Sequence, residues 1–132
     1  MLLAGIILAG LSAALHVVIF WLESVVWGSP RANRTFGVAA ADVETTRALA
    51  FNQGFYNLFL AVGTFVGIAA VGIGAVTVGV TLVVVGTGSM LAAASVLFSS
   101  SPNLRRAAVV QGSLPALALL ATVIAIAVVP GG

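Results

Sequence analysis

Leu58 to Phe98 reads LFLAVGTFVGIAAVGIGAVTVGVTLVVVGTGSMLAAASVLF, 41 residues with no charge and no side-chain amide. One straight helix of that length would measure about 60 Å, twice the roughly 30 Å hydrocarbon core of a bilayer. The stretch therefore reads as two membrane-crossing helices joined by a reversal, and Gly72-Ile73-Gly74 is the favoured turning point. A re-entrant or broken third segment, the later half of this run, is the alternative reading.

The flanks repeat the pattern. Residues 2–22 carry no charge, and Ser12 and His16 are their only polar side chains; the apolar run continues to Trp27 before Gly28-Ser29-Pro30 ends it. Leu11-Ser12-Ala13-Ala14 looks like a signal-peptide cleavage region, but no basic residue precedes it and the run does not stop there. A retained first membrane helix is expected instead. On the other flank, Ser99-Ser100-Ser101-Pro102-Asn103 breaks the third helix and Arg105-Arg106 opens a fourth, which runs to Pro130-Gly131-Gly132. The expectation is an all-α, polytopic four-transmembrane-helix bundle forming a single domain over 1–132, with spans of about 2–27, 46–71, 75–98 and 106–129. The connection 31–47 is polar, and Asp42 and Glu44 there mark a helix start by favouring the positive end of the helix dipole.

Composition agrees. Charged residues make up 6% of the chain, against about a quarter in soluble domains, and hydrophobic residues 61%. Eight charged side chains cannot clothe a soluble surface of 132 residues, so most of the chain faces lipid. The five basic residues are all arginines, Arg31, Arg34, Arg47, Arg105 and Arg106, in the loops after the first and third spans and beside them. This is a topology signal and not a nucleic-acid footprint. It places those loops in the cytoplasm and both termini outside. The absence of cysteine excludes disulfides and thiolate metal sites, and a single histidine leaves no metal-ligand set; neither metal nor cofactor is expected.

An ionisable residue inside a membrane is a functional-site candidate by default. The chain offers His16 and Glu23, seven residues apart, hence about 700° of rotation and one shared face on an α-helix, with Trp27 one turn further. The second span supplies Asn52, Gln53, Tyr56 and Asn57, in two adjacent columns, and the fourth supplies Gln111 and Ser113 at similar depth. Lipid cannot hydrogen-bond these groups, so they are expected to face one another, water or a ligand. Pro115 is expected to kink the fourth helix and free the Gln111 carbonyl. Gly63-Thr64-Phe65-Val66-Gly67 has the GxxxG spacing that allows close helix approach, within the bundle or in a dimer.

The residues His16, Glu23, Trp27, Pro30 and Phe36, the block Asn52-Gln53-Gly54-Phe55-Tyr56-Asn57, and Gln111-Gly112 with Pro115-Ala116-Leu117 form a pattern covering nearly the whole chain. It resembles a family of small bacterial four-helix membrane proteins catalogued as a domain of unknown function. That resemblance implies the architecture and no activity. By residue type alone, the His, Glu and amide set is also similar to that of small membrane sterol isomerases.

The leading functional expectation is a pocket for a small lipophilic or amphipathic molecule, formed by His16, Glu23, Trp27, Asn52, Gln53, Tyr56, Asn57 and Gln111. The alternatives are a proton-linked permeation unit, a membrane-embedded enzyme with Glu23 or His16 as acid–base, and an accessory subunit whose polar layer is interhelical glue. Partners would be membrane lipid, a small lipophilic molecule, and further copies of the chain or a larger membrane complex.

Overall fold

The structure, a computed structural model, describes residues 1–128. Its elements are α1 (Leu2–Phe20) continued by a π-helical turn (Trp21–Val25), α2 (Pro30–Phe36), a 3-10 turn (Ala40–Asp42), α3 (Val43–Gly72), α4 (Val76–Ser100), a 3-10 turn (Pro102–Leu104) and α5 (Arg105–Val128). Four of these units, of 24 to 33 residues, are long and apolar enough to cross a membrane. The protein is a four-span helical membrane bundle. The last residue of the expected fourth span, Val129, and Pro130-Gly131-Gly132 lie outside the described residues.

The helices run up and down in the cyclic order α1, α3, α4, α5, with α1 closing on α5 and α4 on the diagonal from α1. The reversal between α3 and α4 falls at Gly72-Ile73-Gly74, where Gly74 takes φ +87°, a left-handed conformation suited to glycine.

Two local expectations change. The first span is not one α-helix to Trp27: it passes into a π turn at Trp21 and stops at Val26. A π turn holds one more residue than an α turn, so residues beyond it fall out of the 700° register. Likewise, Ser29-Pro30 does more than end a helix. The Ser29 hydroxyl accepts from the Ala32 N–H at 3.2 Å and Pro30 occupies the first helical position, so the pair starts α2, which Gly37 ends at φ +65°. The polar connection thus contains a capped helix, and α3 begins at Val43, ahead of the expected residue 46.

The packing is small inside and large outside. Ala9, Ala13, Ala61, Ala94 and Ala118 are buried, whereas Leu3, Phe59, Val85 and Leu117 are exposed on the lipid-facing surface. In lipid no hydrophobic force draws helices together, so close backbone approach and dispersion do the work. The α3–α4, α4–α5 and α1–α5 seams each have such a contact. A Cβ on Gly79 would stand 2.6 Å from the Gly67 carbonyl oxygen, one on Gly112 2.9 Å from Ala94, and Gly5 and Gly86 receive the hydroxyls of Thr122 and Thr64. Those threonines, with Thr87, are fully buried and donate to carbonyls one turn back at 2.7–2.8 Å, which satisfies them within their own helices. Of the GxxxG pair, Gly67 packs internally on α4 while nothing lies within 4 Å of a Cβ on Gly63.

Candidate functional site

All five arginines lie at the end of the bundle formed by the π turn, α2, the start of α3 and the α4–α5 turn. Just inside that end is a chamber of about 290 Å³. Glu23 from the π turn, Gln53 and Asn57 from α3, and Gln111 from α5 supply its polar lining, and Leu97 of α4 adds an apolar wall. Phe36 and Val38 from α2 and its exit, with Leu104 from the other loop, cover the side toward the arginines.

Glu23 is 6% exposed, although all four spans are apolar enough to cross a membrane. The π turn carries it, and its Oε2 accepts a hydrogen bond from Asn57 Nδ2 at 2.8 Å. The same amide nitrogen reaches the Gln53 carbonyl at 3.1 Å. Close approach makes this possible: Gly54 leaves room for Ser24, whose hydroxyl donates to the Phe51 carbonyl at 2.9 Å. Side chain and backbone thereby clamp the π turn to α3.

Trp27 fastens the next layer. Its Nε1 donates to the Val43 carbonyl at 3.2 Å, and its ring lies 5.6 Å from that of Phe36. Arg47, paired with Glu44 at 2.6 Å, also reaches the Trp27 carbonyl at 3.5 Å. The indole therefore ties the end of the first span to the start of α3 and props α2 over the chamber.

Of the expected site residues, Glu23, Trp27, Gln53, Asn57 and Gln111 meet around this chamber; Asn52, Tyr56 and His16 do not. Asn52 is exposed and borders a surface groove with Glu44, Arg47 and Phe51. Tyr56 is 69% exposed and faces outward. Asn52 and Tyr56 form one column of α3 and Gln53 and Asn57 the next, about 100° apart, so only one column turns inward. Ser113 also turns away, into a groove between α4 and α5, with its hydroxyl bonded to the Val109 carbonyl. α5 runs unbroken through buried Pro115, which has no N–H to give the Gln111 carbonyl.

His16 is fully buried deeper in the bundle. Its Nδ1 is 2.8 Å from the Ser12 carbonyl oxygen, and its Nε2 has no hydrogen-bond partner among the described residues. No cluster of three or more His, Cys, Asp or Glu side chains that could hold a metal is present among the described residues.

Sequence reasoning passed over Thr46, Val38 and Leu104, which also line the chamber. They lie in or beside the loops, where hydropathy carries no facing information. Phe36 was accessible, being part of the family pattern.

The fold and the site define a class: a multi-pass helical membrane protein with a largely apolar chamber, carrying a buried carboxyl and amides, beneath its arginine-bearing end. The chain belongs to the family described as "Protein of unknown function (DUF1304)", whose model matches residues 10–123. That range takes in every residue of the chamber. No curated protein and no solved structure matches the chain.

Proposed function

We propose that the protein binds a small amphipathic molecule in the chamber beneath α2, its polar end on Glu23 and its apolar part against Trp27, Phe36 and Leu97. The observation that carries this reading is the convergence of a buried carboxylate and amides from three helical segments on one space of about 290 Å³. Interhelical glue needs no cavity. Among the described residues only Oε2 of Glu23 receives a hydrogen bond, from Asn57, which leaves Oε1 available to a ligand hydroxyl or amine. The volume sits at the small end of ligand pockets, so the bound part is a head or a short molecule and not a whole lipid. The arginine distribution supports a chamber on the cytoplasmic side of the membrane with both termini outside, and the resemblance to a bacterial family supports an inner membrane.

Mass spectrometry of the purified protein tests this reading, with Ala50→Leu as the chamber-filling variant, since Ala50 lines the space. A small molecule retained by the wild type and lost from a folded Ala50→Leu protein is the expected result. Equal retention by both would overturn it.

A further inference from the structure

We infer that a second site, distinct from the chamber, holds the phosphate group of an anionic membrane lipid between Arg34 of α2 and Arg106 of α5. The two side chains line one cleft of about 350 Å³ where α2 meets the α4–α5 turn. The five arginines are not equivalent. Arg47 is paired with Glu44, and Arg105 donates to the Phe98 carbonyl at 3.2 Å with its guanidinium 5.0 Å from the Phe98 ring. Arg34 and Arg106 share a space with no acidic side chain lining it and no hydrogen-bonded partner among the described residues. Two like charges directed at one cleft repel unless an anion lies between them, and guanidinium forks match phosphate oxygens.

The surroundings specify the rest. Asn103 adds an amide to the same lining. Gly37, left-handed at φ +65°, ends α2 beside Leu104 and lines the cleft with it. Below the cations the cleft wall becomes Ala107 and Val110, and Val110 is 58% exposed on the lipid-facing side of α5. A site that is cationic at the loops and apolar one turn into the membrane fits a phosphate carrying acyl chains better than a free one. Leu104 and Ala107 line both this cleft and the chamber, so the headgroup would stand against the chamber wall without entering it.

The test is a native mass spectrometry titration of the delipidated full chain in neutral detergent with phosphatidylglycerol, phosphatidylcholine or inorganic phosphate. Wild type is expected to bind phosphatidylglycerol in preference to phosphatidylcholine. Arg34→Gln with Arg106→Gln should weaken phosphatidylglycerol about thirtyfold, with roughly one fifth of the affinity remaining per arginine lost. Arg31→Gln, one charge removed outside the cleft, should leave the affinity within about twofold, against about fivefold for Arg34→Gln or Arg106→Gln alone. Thermal melting of each variant shows whether it is folded, and Arg34→Lys with Arg106→Lys supplies a charge-conserving version, expected to bind at intermediate strength. Equal weakening by Arg31→Gln would mean a diffuse surface field and overturn the site. Inorganic phosphate bound as tightly as phosphatidylglycerol would overturn the lipid as its source.

Discussion

Asn57 Nδ2 donates to Glu23 Oε2 across 2.8 Å, joining the π turn of the first span to the middle of α3. The pair is buried on both sides, at 8% and 6% exposure, so what Asn57 provides cannot be replaced by bulk water. Asn57→Ala should lower the unfolding free energy by about 1–3 kcal/mol, because it strands a buried acceptor. Glu23→Gln retains an acceptor oxygen and should cost less than about 1 kcal/mol. Reversible unfolding in mixed micelles measures both. Equal losses would show that the bond adds nothing beyond packing.

The α3–α4 seam gives a sharper stability contrast. Gly67 and Gly79 are in backbone contact, and a Cβ on either meets the other's carbonyl oxygen at 2.6–2.9 Å. Gly79→Val should therefore force the helices apart and destabilise by about 2 kcal/mol or more, in the range of overpacked cores. Gly63→Val, in the same nominal motif, meets open space and should stay within about 0.5 kcal/mol. Matching losses from the two would place Gly63 in an interface with another copy.

The bundle was legible because charge-free runs of spanning length have one physical outcome in lipid. The chamber was legible as a layer: Glu23, Gln53, Asn57 and Gln111 are expensive in hydrocarbon wherever they point. Which column of α3 faced inward was not read from the amides, since Asn52–Tyr56 and Gln53–Asn57 are equally polar. The small residues carried that information: Ala50, Gly54, Ala61, Thr64 and Gly67 fall on the buried side. The π turn had no signature at all. It is an insertion of one residue into a largely apolar helix, visible only once Glu23 and Ser24 are seen docking on α3.

His16 separates packing from chemistry. A buried ring nitrogen without a partner is costly, so His16→Phe should leave stability unchanged or raise it by about 1 kcal/mol. The Ser12 carbonyl also receives backbone hydrogen bonding within α1 and is not stranded by the change. Thermal melting in detergent checks this. A marked loss of stability would show that Nε2 has a partner in the folded protein, such as an internal water.

Topology can be read without removing any native residue, because the chain has no cysteine. Thr35 lies in α2 at the arginine end, exposed, and Ile73 is 84% exposed at the opposite reversal. If the positive-inside bias governs insertion, Thr35→Cys is shielded from a membrane-impermeant maleimide in intact cells and Ile73→Cys is labelled. Lysis should then expose Thr35→Cys to the same reagent. The reverse pattern would place the arginines, the chamber and the proposed phosphate cleft on the outer face. Anionic lipid would have to be supplied from that leaflet, and the ligand of the chamber would be sought outside the cytoplasm.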